Sequence, residues 1–385
     1  MPGWSRHTGR HPELHGAPPV VAFLRTPYGW PYLLTPLIPL AVVLDVIGAA
    51  AGAVFAASAL GIVPTAALMG RATEELAARS GPGIGGLLNV TFGNAPELII
   101  ALFALQKGLQ EVVKASIVGS IIGNILLVLG AAMLFGGLGR DKQTFSRTTA
   151  SIQTTMLLLA GAALVMPAIF ELVEGKGLPS PGAEVVDYGP PVEHLSLAVA
   201  IVLIATYVAG LFFSLKTHRD IFNPEYEDEG TWGWSTRKSV LALAGAGVLV
   251  GLMSEVLVGS IEEASHAVGL SEFFIGVIVV AIVGNAAEHW VAVLVAMKNK
   301  MDLAVNIAIG SSAQVALFVA PILVLASFFL GPHPLALVFN GFELGAILIA
   351  ILIANYVTQD GESTWFEGVQ LLAVYAVFGI AFYYA

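Results

Sequence analysis

The sequence contains no cysteine and very few charged residues. Asp, Glu, Lys and Arg make up 11% of its 385 residues, against about 25% in an average soluble domain. The absence of thiols excludes disulfides and thiolate metal sites. The scarcity of charge excludes an ordinary water-facing surface, because 57% of the residues are hydrophobic. The net charge of −10 gives no indication of a nucleic-acid partner, and none is expected.

Long apolar stretches take the place of the missing charge. A helix needs roughly 20 apolar residues to cross a bilayer. By this measure we predict an all-α integral membrane protein with eleven spans. They cover residues 31–49, 51–79, 85–106, 110–136, 146–173, 193–216, 238–268, 271–297, 301–330, 335–357 and 364–385.

The basic residues predict how these spans are oriented. Cytoplasmic loops carry an excess of Lys and Arg, and a cytoplasmic N-terminus puts fourteen of the 17 Lys and Arg residues on that side. Since the number of spans is odd, the C-terminus is then expected outside. Residues 1–30 are expected to form a polar cytoplasmic tail without a cleavable signal. The short tail and compact loops favour the plasma (inner) membrane of a prokaryotic cell.

Two stretches of the chain match when the sequence is shifted by 191 residues. Gly93-Asn94-Ala95-x-Glu97 falls on Gly284-Asn285-Ala286-x-Glu288. Further along, Gly119-Ser120 falls on Gly310-Ser311. Repeated polar residues within apolar helices are more informative than repeated alanines. The chain therefore contains an internal repeat.

The repeat divides the chain into two halves of five spans each. Residues 51–216 form the first predicted repeat and residues 238–385 the second, while the span at 31–49 lies outside both. An odd number of spans per repeat makes the halves insert in opposite directions, an arrangement typical of transporters with a site at the midplane. Residues 217–237 form an acidic cytoplasmic linker, interpreted either as a solvated connection or as a regulatory, cation-attracting segment.

Each motif places a carboxylate near the middle of a predicted span. Glu97 and Glu288 would each cost at least about 3 kcal/mol there if charged and unpaired. Every Lys and Arg lies in a predicted loop or close to a span end, so no basic partner is expected at that depth. The two acids must then be protonated or hold a cation. A site that alternates between these states is a cation/proton exchanger.

Oxygen-bearing side chains surround these two acids in the sequence. Each Asn lies three residues before its Glu and shares its helix face, and the glycines permit close helix approach or local unwinding. Pro96 is expected to break the helix of the third span. Oxygen ligands suit Ca²⁺, whereas Zn²⁺ and Cu²⁺ favour His and Cys. The predicted ligands are Glu97, Glu288, Asn94, Asn285, Ser120, Ser311 and Gln314.

Several further polar residues leave two interpretations open. His289 either packs and hydrogen-bonds or relays protons together with the two glutamates. Glu74 and Glu75, near the inner end of the second span, and Glu262 and Glu263, near the outer end of the seventh, are either ordinary helix-end residues or a mouth or gate. Single acids in or near other spans either hydrogen-bond within helices or belong to a proton path: Asp45, Glu255, Glu343 and Glu367.

The two matched segments also resemble a known family. GNAPELIIALFALQKGLQEVVKASIVGSIIGN (93–124) and GNAAEHWVAVLVAMKNKMDLAVNIAIGSSAQVALFVAP (284–321) are similar to the signature repeats of the Ca²⁺/H⁺ exchangers, the CAX branch of the cation/Ca²⁺ exchanger superfamily. The resemblance extends over nearly the whole chain from about residue 31. Pro96 departs from the Thr or Val of many members, and the acidic linker is short for the family.

This resemblance implies eleven spans in inverted five-span repeats and exchange of cytosolic Ca²⁺ for protons. Glu97 and Glu288 would be the central carboxylates, assisted by Asn94 and Asn285, with Ser120, Ser311 and Gln314 near the site. The related Na⁺/Ca²⁺ exchangers carry Ser/Thr-rich motifs at these positions, which disfavours coupling to Na⁺.

The expected function is therefore secondary antiport by alternating access, not enzyme catalysis. The expected partners are Ca²⁺ as transported substrate, H⁺ and the lipid bilayer, without a cofactor; homo-oligomerisation is left open. A proton-coupled antiporter for Na⁺, K⁺ or Mn²⁺ is the main alternative, followed by a cation channel. A membrane enzyme is less supported, because no nucleotide loop, metalloprotease motif or catalytic triad is present.

Overall fold

The computed structural model describes residues 28–181, 187–217 and 233–385, and this part of the chain is almost entirely helical. The predicted tail up to residue 27 and the acidic linker residues 218–232 lie outside the described residues. After a 3₁₀ turn at Trp30–Leu34, the helices are α1 Leu37–Val46, α2 Ala51–Gly93, α3 Ala95–Gln106, α4 Gln110–Gly137, α5 Arg147–Val173, α6 Pro190–Thr217, α7 Thr236–Val268, α8 Glu272–Met297, α9 Met301–Ser327, α10 Gly341–Val357 and α11 Trp365–Tyr384.

Within the described ranges, eight helices are long and apolar enough to cross a membrane. A bent pair, Leu87–Gly93 with Ala95–Gln106, makes a ninth candidate, and two apolar helices are shorter, Trp30–Val46 and Gly341–Val357. Helices α4 and α9 lie at the centre of the bundle. In their apolar stretches 83% and 78% of the residues are buried, against 17% in the apolar stretch of α11. The central pair carries the repeated Gly-Ser positions of the sequence.

Helix α2 doubles back on itself near Ser80. A Cβ atom on Gly85 would come within 2.5 Å of the carbonyl oxygen of Ala77, whereas residues eight apart on a straight helix are separated by about 12 Å. The reversal falls where the predicted second span ends and the third begins. The limb after it carries the chain back into the membrane interior, towards the first Gly-Asn-Ala-x-Glu motif.

The helix breaks a second time within that motif. Helix α2 ends at Gly93 and α3 begins at Ala95, with a bend of 42° between them. Pro96 lies in the first turn of α3, where its missing N–H leaves no helical bond unmade. Helix α8, with Ala287 at the matching place, runs unbroken through its motif. The predicted break at Pro96 is confirmed.

The loops gather at two ends of the helical bundle. At one end, Arg140 donates to the carbonyl of Met297 (3.0 Å) and Lys142 pairs with Glu362 (2.5 Å). There the short strands β1 (Gln143–Thr144) and β2 (Glu362–Ser363) pair antiparallel. We call this the basic end. The opposite end joins the α3–α4 turn to the α9–α10 connection, where Gln110 donates to the carbonyl of His333 (2.9 Å).

The predicted tenth span begins too early. Residues 335–340 are fully buried but not helical, and α10 begins only at Gly341. The reason is a capping box: the Asn340 side chain accepts from the Glu343 N–H, and the Glu343 carboxylate accepts from the Asn340 N–H. This reciprocal pair stabilises a helix start at that position. Apolar composition alone had suggested a helix from residue 335.

Side chains from other helices satisfy the backbone of this buried segment, 335–340. The N–H of Leu337 donates to Ser196 on α6 (3.0 Å), and the carbonyl of Val338 accepts from Lys114 on α4 (3.2 Å). Non-helical backbone at membrane depth is tolerated only where it is enclosed by protein. The segment is therefore fixed by tertiary contacts, since residues 335–339 form no helix of their own.

Helices α4 and α8 touch at the level of their backbones. A Cβ on Gly119 would overlap the carbonyl oxygen of Val277. A Cβ on Gly276 would lie 2.9 Å from the Cβ of Ala115. Small residues allow this closeness in membrane helices, where packing replaces the hydrophobic effect as the driving force. The contact joins the two predicted repeats directly.

This contact predicts that Gly119→Ala lowers the thermal stability of the protein. The added methyl group has to displace the backbone of α8, and overpacking of this kind costs about 1–3 kcal/mol. Gly123→Ala, one turn further along α4 with nothing within 4 Å of the added Cβ, is the matched control. Melting temperatures of the purified protein in detergent test the prediction, and equal values for the two variants would contradict it.

Candidate functional site

The two Gly-Asn-Ala-x-Glu motifs meet in the interior of the bundle. A Cβ on Gly93 would lie 3.1 Å from Oε1 of Glu288, and a Cβ on Gly284 would lie 3.2 Å from Cγ of Glu97. Each glycine thus makes room for the carboxylate of the other motif. The repeated pattern of the sequence corresponds to a reciprocal contact in space.

Neither carboxylate has a basic partner among the residues that the structure describes. Glu97 is 9% exposed, and both of its carboxylate oxygens are buried without a hydrogen bond. Glu288 is half-buried, and its Oε2 accepts from the hydroxyl of Ser311 at 2.9 Å. In the described part of the chain, Lys and Arg form ion pairs elsewhere and none with either glutamate.

The two asparagines are held by side chains of the opposite repeat. Asn94 donates from Nδ2 to Oε1 of Gln314 at 2.6 Å, and Asn285 donates from Nδ2 to the hydroxyl of Ser120 at 3.1 Å. These bonds engage the NH₂ end of each amide. The Oδ1 atoms of both asparagines remain buried without a hydrogen-bond partner.

The arrangement presents oxygen atoms to the space between the motifs. Buried oxygens without a partner are rare in folded proteins, and each needs a physical explanation. Here they belong to two amides and a carboxylate, which are hard ligands of the kind that Ca²⁺ prefers. In the described residues, no group of three or more His, Cys, Asp or Glu side chains is arranged so that it could hold a metal ion. A cation at this position would therefore depend on the two glutamates together with the neutral oxygens.

The central helices change geometry beside these residues. A π-helical turn at Gly123–Val128 follows Ser120 in α4, and another at Val315–Val319 follows Gln314 in α9. Such widened turns occur frequently at functional sites. The sequence contained no signal for them beyond the repeated Gly-Ser pairs.

His289, next to Glu288 in the sequence, contacts an asparagine of the opposite repeat. Its Nε2 lies 3.1 Å from Oδ1 of Asn124, a residue of α4 in the other repeat. The hydrogen bond links the two predicted repeats beside the site. It agrees with the interpretation that His289 packs and hydrogen-bonds. Proton relay by His289 stays a prediction.

A small cavity adjoins Glu97 on the side towards the opposite end of the bundle. Besides Glu97 and Ser120, it is lined by Ser116 and by apolar residues of α3, α4 and α9. Ser116 was not among the predicted site residues, although it lies one helical turn before Ser120. That spacing was the available signal, since residues four apart share a helix face.

The four predicted mouth residues do not come together. Glu75 is 1% exposed, pairs with Arg71 at 2.8 Å and accepts from the Trp234 N–H at 3.0 Å. Glu74 beside it is exposed. Glu262 and Glu263 are exposed and lie near the other end of α7, which packs antiparallel to the first limb of α2. Each pair therefore belongs to a different end of the bundle.

Comparison with known proteins identifies the family of this chain. The model of the sodium/calcium exchanger protein family matches residues 50–216 and 238–384, which is most of the chain. The chain belongs to this family. The matched ranges hold both motifs, both central helices and the buried segment of this exchanger-family protein.

Similar members of the family are named as proton-coupled calcium transporters. A Ca²⁺/H⁺ antiporter of Aphanothece halophytica is 45% identical over 351 residues, covering 86% of this chain and 90% of that protein. The Ca²⁺/H⁺ antiporter ChaA of Bacillus subtilis is 42% identical, with coverages of 90% and 96%. The solved structure of native YfkE superposes with a TM-score of 0.77 at 39% identity, covering 92% of this chain and all of that one. The predicted resemblance is confirmed, and with it a helical, multi-pass membrane transporter fold.

The reciprocal packing predicts that Gly93→Ala weakens binding of a divalent cation. The methyl group would lie 3.1 Å from Oε1 of Glu288 and would displace this carboxylate from its position near Glu97. We expect a three- to tenfold rise in the dissociation constant for Ca²⁺, equivalent to up to about 1.4 kcal/mol. Calorimetric titration of the purified protein measures it. Gly70→Ala, on the same helix with open space around the added Cβ, should bind as the parent does; equal weakening in both would contradict the argument.

Proposed function

We propose that the protein is an antiporter that exports cytosolic Ca²⁺ in exchange for protons. The observation that carries this proposal is the meeting of Glu97 and Glu288 in the membrane interior, without a basic partner. The Ca²⁺/H⁺ antiporters that resemble the chain over most of its length support the choice of ions. A site with two carboxylates can be neutralised in two ways, by one divalent cation or by two protons.

The exchange follows from the competition between these two states. With both acids ionised, Ca²⁺ finds two negative charges and the free Oδ1 atoms of Asn94 and Asn285. With both protonated, the charge that holds Ca²⁺ is gone, and the cation leaves. Gln314, Ser120 and Ser311 position the ligands, because they hold the Asn amides and the Glu288 carboxylate in place. Two protons per Ca²⁺ are then the minimum and make the exchange electroneutral.

We propose alternating access between two inverted repeats, residues 51–216 and 238–385. The eight long spans, the bent pair broken at Asn94 and the two shorter apolar helices would together supply the eleven spans. The different exposure of the two acids supports such a cycle, since Glu97 is closed off while Glu288 stays partly exposed. Glu74 and Glu75 would then serve one mouth, and Glu262 and Glu263 the other.

The two acids are expected to be indispensable. Glu97→Gln or Glu288→Gln keeps the size of the side chain but removes one titrating charge, so Ca²⁺-driven proton movement should fall to background. Proteoliposomes with an entrapped pH dye and ⁴⁵Ca²⁺ measure both ions. Glu174→Gln, an exposed acid at the opposite end that pairs with Lys176, is the control and should transport normally. Normal exchange by a folded Glu97→Gln variant would contradict the proposal.

The same vesicles separate the alternative cations. An excess of Na⁺, K⁺ or Mn²⁺ that abolishes ⁴⁵Ca²⁺ uptake while driving protons itself would identify a different substrate. Saturable, proton-coupled flux supports a carrier, whereas ohmic single-channel current would support a channel.

We propose further that the basic end faces the cytoplasm, as the excess of Lys and Arg indicates. Because the sequence contains no cysteine, single cysteines can test this without a background. Lys142→Cys at the basic end should react with an impermeant maleimide only in inside-out vesicles, and Lys107→Cys at the opposite end only in intact cells. The reverse labelling pattern would overturn the orientation and leave the ion exchange untouched.

A further inference from the structure

One buried carboxyl group lies far from the central site and has no role in the exchange described above. Glu343, in the first turn of α10, is 2% exposed. Its Oε2 accepts from the Asn340 N–H at 2.8 Å, whereas its Oε1 is buried without a hydrogen-bond partner. The helix cap uses only one of the two oxygens. A carboxylate oxygen enclosed in this way needs another explanation.

The surroundings of Glu343 form a small polar cavity at the opposite end of the bundle. Helix α4 contributes Glu111 and Lys114, and the connection after α5 contributes Ser180. The space is sufficient for about one water molecule. It is separate from the cavity beside Glu97, which no residue of α10 lines. The two cavities also use different residues of α4.

Among the residues that the structure describes, few charged groups face this cavity. Lys114 and Glu111 act on Glu343 from α4, and the phenol of Tyr188 lies close to the carboxylates. Burial, together with the charges of Glu343, Glu171 and Glu111, raises the pKa of Tyr188, so this phenol stays neutral.

Among the described residues, the other neighbours of α10 add one acid near the cavity, and it is part of an ion pair. Glu171, at the end of α5, is already paired with Lys176 at 3.1 Å. The remaining charged residues of the elements packed against α10 lie in the first turns of α5 and α11, at the basic end: Arg147 and Glu367.

The chemistry of this cavity favours a proton over a metal cation. Lys114 already places an ammonium group there and is fixed to the carbonyl of Val338, so a second full positive charge would be repelled. A proton instead converts Glu343 into a neutral acid. Its O–H can donate to a single water, which the cavity can hold.

We propose that Glu343 is a second proton-binding site, at the end of the bundle opposite to the basic end and separate from the central carboxylates. In the proposed orientation this site senses the pH outside the cell. Protonation removes the charge that Lys114 faces, while the same lysine holds the buried segment 335–340 between α9 and α10. The proton therefore acts on the contact that ties α4 to this segment.

The proton site can be tested without transport, in a background that lacks the central acids. In the Glu97→Gln/Glu288→Gln variant, infrared difference spectroscopy against pH should still show a carboxylic-acid band that exchanges slowly in D₂O. Adding Glu343→Gln should remove this band. Glutamine retains the capping box, so the helix start is preserved. Adding Glu367→Gln instead, which alters the matching capping box of α11, should leave the band in place.

Lysine variants test the same assignment independently. Lys114→Met removes the neighbouring positive charge, so the titration midpoint of the band should move up by about one pH unit, a tenfold gain in proton affinity. Lys107→Met, an exposed lysine at the same end, should leave the midpoint unchanged. A band that survives Glu343→Gln, or equal midpoints in the two lysine variants, would overturn the proposal. Either result would leave the exchange at Glu97 and Glu288 unaffected.

Discussion

The structure depends on two glutamates that meet in the interior of the helical bundle, where no described Lys or Arg forms an ion pair with either of them. Each lies against the glycine of the other motif, so neither carboxylate can be placed without the opposite half of the chain. An unpaired charge at this depth is unfavourable. In the proposed exchange, this energetic cost makes the pair responsive to cations and protons, because either one removes the charge.

The neutral side chains around the pair divide into two functions. The NH₂ ends of Asn94 and Asn285 bind across the interface between the repeats, and their oxygens remain available. Hydrogen bonds of this kind fix both the position and the orientation of an amide. The central helices α4 and α9 carry the anchoring residues Ser120 and Gln314 and are the most buried of the long spans, so both amides are held by the enclosed centre of the bundle.

Much of the site could be predicted from the sequence because its signal is local or repeated. Pro96 indicates the helix start that follows the break at Asn94, and in α8 the Asn-x-x-Glu spacing puts two polar residues on one helix face. The buried segment 335–340 could not be predicted in this way. Its composition is as apolar as that of a span, and only the cap at Asn340 and the bonds from Ser196 and Lys114 determine that it is not helical. These partners lie more than a hundred residues away in the sequence.

The amino-acid sequence by itself determined the membrane environment, the internal repeat and the identity of the two central acids. Each of these follows from composition or spacing, which do not depend on the path of the chain. The tertiary structure alone decided that each glycine accommodates the other motif's carboxylate, that His289 binds Asn124, and that Glu343 is enclosed with Lys114. The physical reason is that burial and unsatisfied hydrogen bonds are properties of packing, and packing brings together residues that the sequence keeps apart.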